Sequence, residues 1–454
     1  MLAAAGKANI KECIHMSRKD TALKYFEEQK SMLDLRVKTG IEMYRKGDAR
    51  IVLKSAGGSL PENITVEVEQ KTHEFKFGAN VFMLDEFEND EKNAIYREKF
   101  AKLFNLATLP FYWSDLEPEE GKPRYAKDSP KIYRRPAPDL CVEYCKEKGI
   151  EPKCHCLNYD GWLPNWLNNA TVAEHKAKLE KRFREVAERY AKDIPSFEVT
   201  NETIQNCRSK FFYEDDFLDW SYRMADRYFP NNRLIINDYN IWFPESYNNR
   251  HAYYMQIERL LRNGITHLDS IGMQFHSFFP LESEPNMAGQ RYNPEKLYKL
   301  MDLYAKLGLA EQITEMTIPA YGDDAENEEV QAELIRGVYS VFFSHPAMEA
   351  VIYWNLVDGY AAFAPQGDMK AGENKYYGGL MHFDMTEKPA YKLLWNLIHK
   401  EWHTSETVKA DANGTVKFRG FYGDYSLKLH VGDKTIPVDY RLSKTAQNNI
   451  EIVI

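Results

Sequence analysis

Eight short runs rich in β-branched and aromatic residues recur between positions 75 and 356, each followed by a segment with helical periodicity. They cover 75–82, 107–113, 151–159, 196–202, 234–239, 268–276, 312–318 and 350–356. Strands covered on both faces read as near-continuous apolar runs of this kind, not as alternating ones. The clearest intervening helix starts at the capping box Thr171–Glu174 and aligns Leu179, Phe183, Val186, Ala187 and Tyr190 on one stripe. Eight strand–helix units in succession predict an α/β chain with a (β/α)8 barrel over 75–402. A doubly wound open sheet is the alternative, and the count of eight weighs against it.

The flanks follow another rule. Within 1–74, residues 17–46 carry Leu23, Phe26, Leu33, Val37 and Ile41 at helical spacing, and two strands at 49–54 and 64–70 flank a Gly57-Gly58 turn. Within 403–454, short strands are joined by turns at Asn413-Gly414, Tyr422-Gly423-Asp424 and Gly432-Asp433. Neither flank is large enough to hold a core alone. The expectation is that they pair into one small β-sandwich beside the barrel. The opening Met1-Leu-Ala-Ala-Ala has no basic segment followed by a hydrophobic one, so no signal peptide is visible.

Composition removes several partner classes. Lys+Arg 59 against Asp+Glu 68 gives a net charge of −9, which argues against nucleic acid or an anionic membrane surface. No apolar run approaches the ~18 residues of a membrane span. Cys154-x-Cys156 lacks a second pair at zinc-ligand spacing, and there is no glycine-rich phosphate loop, so no metal or cofactor is expected. Aromatic residues make up 13% of the chain. Rings in that number suit both a large core and stacking on sugars.

Barrels of this kind carry their chemistry at the C-terminal strand ends. Those ends present Trp113, His155 with Asp160, Asn201-Glu202, Asp238, Gln274 with His276, Glu315, and Trp354 with Asp358. Strands four and seven face each other across a barrel, so Glu202 and Glu315 can converge on one bond. Glycoside hydrolysis needs such a pair, one neutral acid and one carboxylate.

An ordered series of motifs over roughly 75–400 resembles glycoside hydrolase family 10, whose best-known members are endo-β-1,4-xylanases. It runs Phe104-Asn105, Trp113-x-x-x-Glu117-Pro118-x-x-Gly121, His155-x-Leu157 with Leu163-Pro164-x-Trp166, and Val199-x-Asn201-Glu202. It continues with Ile236-Asn237-Asp238-Tyr239-Asn240, Asp269-x-Ile271-Gly272-Met273-Gln274-x-His276 and Ile313-Thr314-Glu315. Trp354, Asp358-Gly359 and Lys388-Pro389-Ala390-Tyr391 close it. The resemblance implies a retaining hydrolase of β-linked, xylan-type polysaccharide, with Glu315 as nucleophile and Glu202 as acid/base. It implies that Asn201 bonds the sugar 2-hydroxyl, that His276 orients Glu315, and that Gln274 and His155 line the same subsite. Trp354 is implied as an aromatic floor; Trp113, Asp160 and Trp162 are expected as further sugar contacts from their places at the strand ends. A secreted, periplasmic or cell-surface location is implied as well.

The departures concern the sugar on the non-reducing side of the cleavage point. The family's Glu-Asn pair and Lys before Trp113 are absent, and that stretch is two residues shorter. Asp160 replaces a histidine, Trp162 a glutamine and Thr317 an aspartate, and the aromatic expected after Asp358 falls on Ala362. A glycosidase for a different β-glycoside, or a carbohydrate-binding protein on the same barrel, are the alternatives.

Overall fold

The computed structural model describes residues 17–205 and 207–454; the Met1-Leu-Ala-Ala-Ala stretch lies outside the described residues. Two strands, β1 (Lys46–Lys54) and β2 (Thr65–His73), precede eight parallel strands that close into a barrel. The barrel strands are β3 (Lys76–Asn80), β4 (Leu106–Pro110), β5 (Glu151–His155), β6 (Ser196–Asn201) and β7 (Arg233–Asp238). They continue with β8 (Ser270–His276), β9 (Ala310–Thr317) and β10 (Met348–Tyr353), which pairs with β3 to complete the ring. Every residue of β4 and of β6 is buried, which is why these strands read as unbroken apolar runs. The helix Val172–Tyr190 between β5 and β6 begins with the expected Thr171–Glu174 capping box and buries Leu179, Phe183, Val186 and Tyr190.

Several runs extend further in the sequence than the strands do in space. The second run stops at Pro110, and Trp113 starts a one-turn helix, Trp113–Leu116. The regular strand of the third run ends at His155; Leu157 and Asn158 still bond the Glu198 and Val199 carbonyls of β6 before the chain enters a 3-10 turn at Asp160–Trp162.

After the barrel come β11 (Ser405–Lys409), β12 (Thr415–Phe421), β13 (Gly423–Val431), β14 (Lys434–Leu442) and β15 (Asn449–Val453). They form two sheets with the N-terminal strands, β12-β1-β15 and β11-β2-β13-β14. Each sheet has an N-terminal strand inside it, so each flank completes the other. Ile51, Leu53 and Val416 from one sheet meet Val66, Val68, Leu427 and Leu429 from the other in a single apolar core.

The 17–46 segment is not one helix but three pieces, Arg18–Ala22, Lys24–Glu28 and Lys30–Tyr44. Arg18 is tied to Glu284 at 2.8 Å and to the carbonyls of Pro319 and Ala320. That anchor holds the first turn to the barrel, and the breaks let Leu23, Phe26 and Leu33 each bury against it. Where the sandwich meets the barrel, His73, Phe343, Trp402 and Phe421 pack ring to ring, with Phe343 and Trp402 stacked at 4.5 Å.

Candidate active site

The C-terminal strand ends open into a cavity of about 460 Å³. Its foundation is an ion cluster inside the barrel. Lys153 on β5 and Glu198 on β6 are fully buried and paired, and His155 Nδ1 lies 2.5 Å from the other Glu198 oxygen. Burial alone would raise Glu198, but Lys153 and His155 hold it down at about 2. Burial alone would lower His155, but the Glu198 carboxylate outweighs it and holds the imidazole above its ordinary value. The other ring nitrogen, Nε2, lies 3.0 Å from the Tyr112 hydroxyl and 4.0 Å from Glu315 Oε1.

A layer of amides rests on this cluster. The Thr314 hydroxyl donates to Asn237 Oδ1 at 2.6 Å, which fixes the Asn237 amide. Asn237 Nδ2 then points at Asn201 Oδ1 (2.9 Å) and Glu315 Oε1 (3.2 Å). Gln274 Nε2 points at Asn201 Oδ1 (3.3 Å) and Glu202 Oε1 (3.0 Å). Asn201 Oδ1 therefore receives donors from both sides, and its own NH2 is the end left for the cavity. Gly272 makes the layer possible: a Cβ there would stand 2.6 Å from Asn237 Oδ1 and 2.8 Å from Thr314 Cγ2.

The two carboxylates emerge from opposite sides of the layer. Glu202 follows β6, donates its N–H to Asn237 O at 3.0 Å, and turns through the left-handed region (φ +54°). Such a turn costs a non-glycine residue roughly 1–2 kcal/mol and swings the side chain into the cavity. The Tyr159 hydroxyl donates to Glu202 Oε2. Burial raises the Glu202 pKa, the Tyr159 hydrogen bond lowers it, and Glu315 raises it again; the net direction is up. Glu315, on β9, meets His276 Nε2 at 3.2 Å through its second oxygen. His276 Nδ1 lies 2.9 Å from Thr317 Oγ1, whose proton goes to the Trp354 carbonyl. The hydroxyl at 317 thus occupies the orienting place expected of an aspartate.

Rings form the walls. Phe82 meets Trp354 edge to face at 4.9 Å, and Tyr159 stacks on Trp162 at 5.7 Å. Phe363, 74% exposed, reaches to 6.0 Å from Trp162 across the opening. An aromatic thus stands one position after Ala362.

Of the residues singled out in the sequence, Asn201, Glu202, Gln274, His276, Glu315, Trp354 and Trp162 line the cavity. Three do not. Asp160 is buried and accepts from the N–H groups of Arg208 and Ser209 and from the Ser209 hydroxyl, so it pins the loop after β6. Trp113 is turned away by its helical turn, with its indole on Glu117 at 2.8 Å and its faces against Trp166 and the Arg182 guanidinium. His155 sits behind Tyr112 and is held there by Glu198. The cavity also recruits residues that sequence reasoning did not assign: Phe82, Tyr112, Tyr133, Arg134, Arg135, Tyr239, Phe278, Phe363 and Glu373. Most come from irregular loops with no period to read. One signal was available for the buried ions: Glu198 is an ionisable residue between Phe197 and Val199 in a strand covered on both faces.

The family model described as Glycosyl hydrolase family 10 matches residues 70–397. The endo-1,4-beta-xylanase B of Neocallimastix patriciarum is 26% identical over 263 residues, covering 56% of this chain and 28% of that protein. The endo-1,4-beta-xylanase B of Thermotoga neapolitana is 25% identical over 342 residues, covering 72% of this chain and 88% of that one. The first four curated relatives are matched over only 28–49% of their own length. Among solved structures, xylanase 10B from Thermotoga petrophila RKU-1 in complex with xylobiose superposes with a TM-score of 0.57 at 22% identity. It covers 72% of this chain and 95% of that one, a likeness of fold.

Proposed function

On the footing that this chain belongs to glycosyl hydrolase family 10, we propose that it hydrolyses a β-linked, xylan-type polysaccharide or oligosaccharide with retention of configuration. The observation that carries the reading is the hydrogen-bonded path Glu315–Asn237–Asn201–Gln274–Glu202, which ties two carboxylates from facing strands to one amide. Retention requires carboxyl groups about 5–5.5 Å apart, one attacking and one protonating.

Glu315 attacks the anomeric carbon and forms a covalent glycosyl-enzyme ester. Glu202, whose pKa burial and the charge of Glu315 raise against the Tyr159 hydrogen bond, gives its proton to the departing oxygen. It then takes a proton from the water that cleaves the ester. Asn201 Nδ2 donates to the sugar 2-hydroxyl, an interaction that strengthens as the oxocarbenium ion develops. His276 holds the Glu315 oxygen that does not attack. Trp354 supplies the floor, and Trp162 and Phe363 supply faces for neighbouring sugars.

The test is chemical rescue. Glu202→Ala with azide is expected to regain part of its turnover and release a β-glycosyl azide; Glu315→Ala is expected to lose at least 10³-fold in kcat, in line with removal of a group made for the transition state. An α-glycosyl azide from Glu202→Ala, or near-full turnover by Glu315→Ala, overturns the assignment. A barrel that binds sugar without cleaving it would release no reducing ends from any β-glycan tried.

A further inference from the structure

One wall of the cavity carries two arginines that the proposed chemistry does not use. Arg134 and Arg135 come from the long loop between β4 and β5 and face the opening beside Phe82 and Tyr112. Arg135 lies 4.3 Å above the Tyr112 ring, donates to Asp115 at 2.7 Å and has that carboxylate as its counter-charge. Arg134 has none. It is 5% exposed, and its guanidinium donates only to neutral oxygens, the Tyr360 carbonyl and Asn355 Oδ1 at 3.1 Å. Among the described residues no carboxylate lies within ion-pair distance of it. Glu373 lines the same cavity and its charge favours the Arg134 cation, but it makes no ion pair with it, and burial raises its own pKa.

A buried cation without an anion is costly; Arg45 and Arg182 are likewise held by carbonyls alone, but Arg134 differs from them in lining the cavity. Two further features hold this one in place. Arg134 sits at φ +62°, a backbone conformation that persists only where the surroundings over-determine it. Arg124 braces the loop by donating to the carbonyls of Pro130, Asp115 and Arg135. Three of the five Arg134 N–H bonds have no acceptor among the described residues, and the residue lines the cavity, so donors remain for a ligand there.

We propose that Arg134 and Arg135 recognise an anionic oxo-group on the substrate, making the preferred β-glycan one that bears a uronate carboxylate or a sulfate ester near the cleaved bond. This rests on the hydrolase reading, which supplies the substrate.

The experiment uses matched pairs. Initial rates are measured on a glucuronate-bearing xylan and its carboxyl-reduced form, and on a sulfated β-glycan and its desulfated form, at 50 and 500 mM salt. At least a tenfold higher kcat/KM is expected on one acidic member, and it should shrink as salt rises. Which pair shows it separates carboxylate from sulfate. Arg135→Gln and Arg134→Lys should each cut the acidic-to-neutral ratio severalfold or more, and Arg135→Gln covers the case in which the buried variant fails to fold. Equal rates on acidic and neutral members overturn the proposal while leaving the hydrolase reading intact. If no polymer is cleaved, the hydrolase reading fails. Calorimetric binding of a glucuronate-bearing xylo-oligosaccharide and its carboxyl-reduced counterpart then decides for the arginines, and equal affinity overturns their role.

Discussion

Tyr159 donates to the carboxylate proposed here as the acid, so it stabilises the form of Glu202 that cannot protonate a leaving group. Removing that donor while keeping the ring isolates the effect. Tyr159→Phe should raise the Glu202 pKa, because the charged form loses a hydrogen bond worth about 1.5–3 kcal/mol, equivalent to about one pH unit or more. On the proposed mechanism the pH–rate profile is expected to be bell-shaped, with its alkaline limb set by loss of the Glu202 proton. That limb is therefore expected to move up in Tyr159→Phe. A limb that stays in place or moves down would show that Tyr159 does not set the acid. At this scale the sequence is informative where backbone direction is forced. Glu315, Gln274 and His276 lie in strands or at their ends, and the pleat decides which face they take. Asp160 and Trp113 lie a few residues beyond a strand, where the chain has already turned. Their chemistry fits a sugar site, but their side chains are spent on Ser209 and Glu117 instead.

Strand packing sets how the amide layer is assembled, and β8 is the element on which it turns. Gly272 lies opposite Gln312 on β9 and Asn237 on β7, and its missing side chain lets Asn237 and Thr314 meet beneath the two carboxylates. Its conformational freedom is beside the point; the requirement is space. Gly272→Ala would push a methyl group to 2.6 Å from Asn237 Oδ1 and 2.9 Å from the Ile236 carbonyl. Overpacking of this kind typically costs 1–3 kcal/mol in stability. The larger effect should fall on kcat, since misplacement near 1 Å can cost about 10²-fold. Steady-state kinetics beside a melting curve separates the two, and a variant with normal kcat and a normal Tm would remove the layer from the argument. The barrel was legible from the sequence because burial on both faces erases the polar alternation of its strands. The cavity wall was not. The loops bearing Arg134, Phe363 and Glu373 are shaped by braces such as Arg124 and by left-handed turns at Arg134 and Phe363, neither of which leaves a period.

At the scale of the whole molecule, the two flanks make one sandwich because β1 and β2 each lie between C-terminal strands. Their incompleteness in the sequence is thus the sign of their pairing. The sandwich is joined to the barrel through His73, the last residue of β2, whose ring is fully enclosed against Phe77, Phe343 and Phe421. Nε2 donates to the Ile398 carbonyl, and Nδ1 accepts from Gln70, a pattern that only the neutral ring satisfies. Burial accordingly pushes its pKa down to about 3. In the unfolded chain the same group titrates near its ordinary value of about 6.5. Below that pH the unfolded state takes up a proton that the native state refuses, so the stability His73 contributes is complete above about 6.5. It drains away by up to ~1.4 kcal/mol per pH unit as the pH falls toward 3. His73→Leu should be less stable than the parent at pH 7, because the Ile398 carbonyl loses its donor. Between pH 6.5 and 4.5 its unfolding free energy should fall less steeply, by about the slope of one proton. Denaturant titrations at closely spaced pH values measure this directly, and parallel slopes for parent and variant would place the acid sensitivity elsewhere. Two probes extend the test to cooperativity. Trp402 belongs to the same ring cluster, whereas the far-UV signal follows the barrel helices. If the sandwich and barrel open as one unit, both should report the same midpoint at every pH. A Trp402 transition that precedes the helical one on acidification would show that protonation of His73 releases the sandwich while the barrel stands.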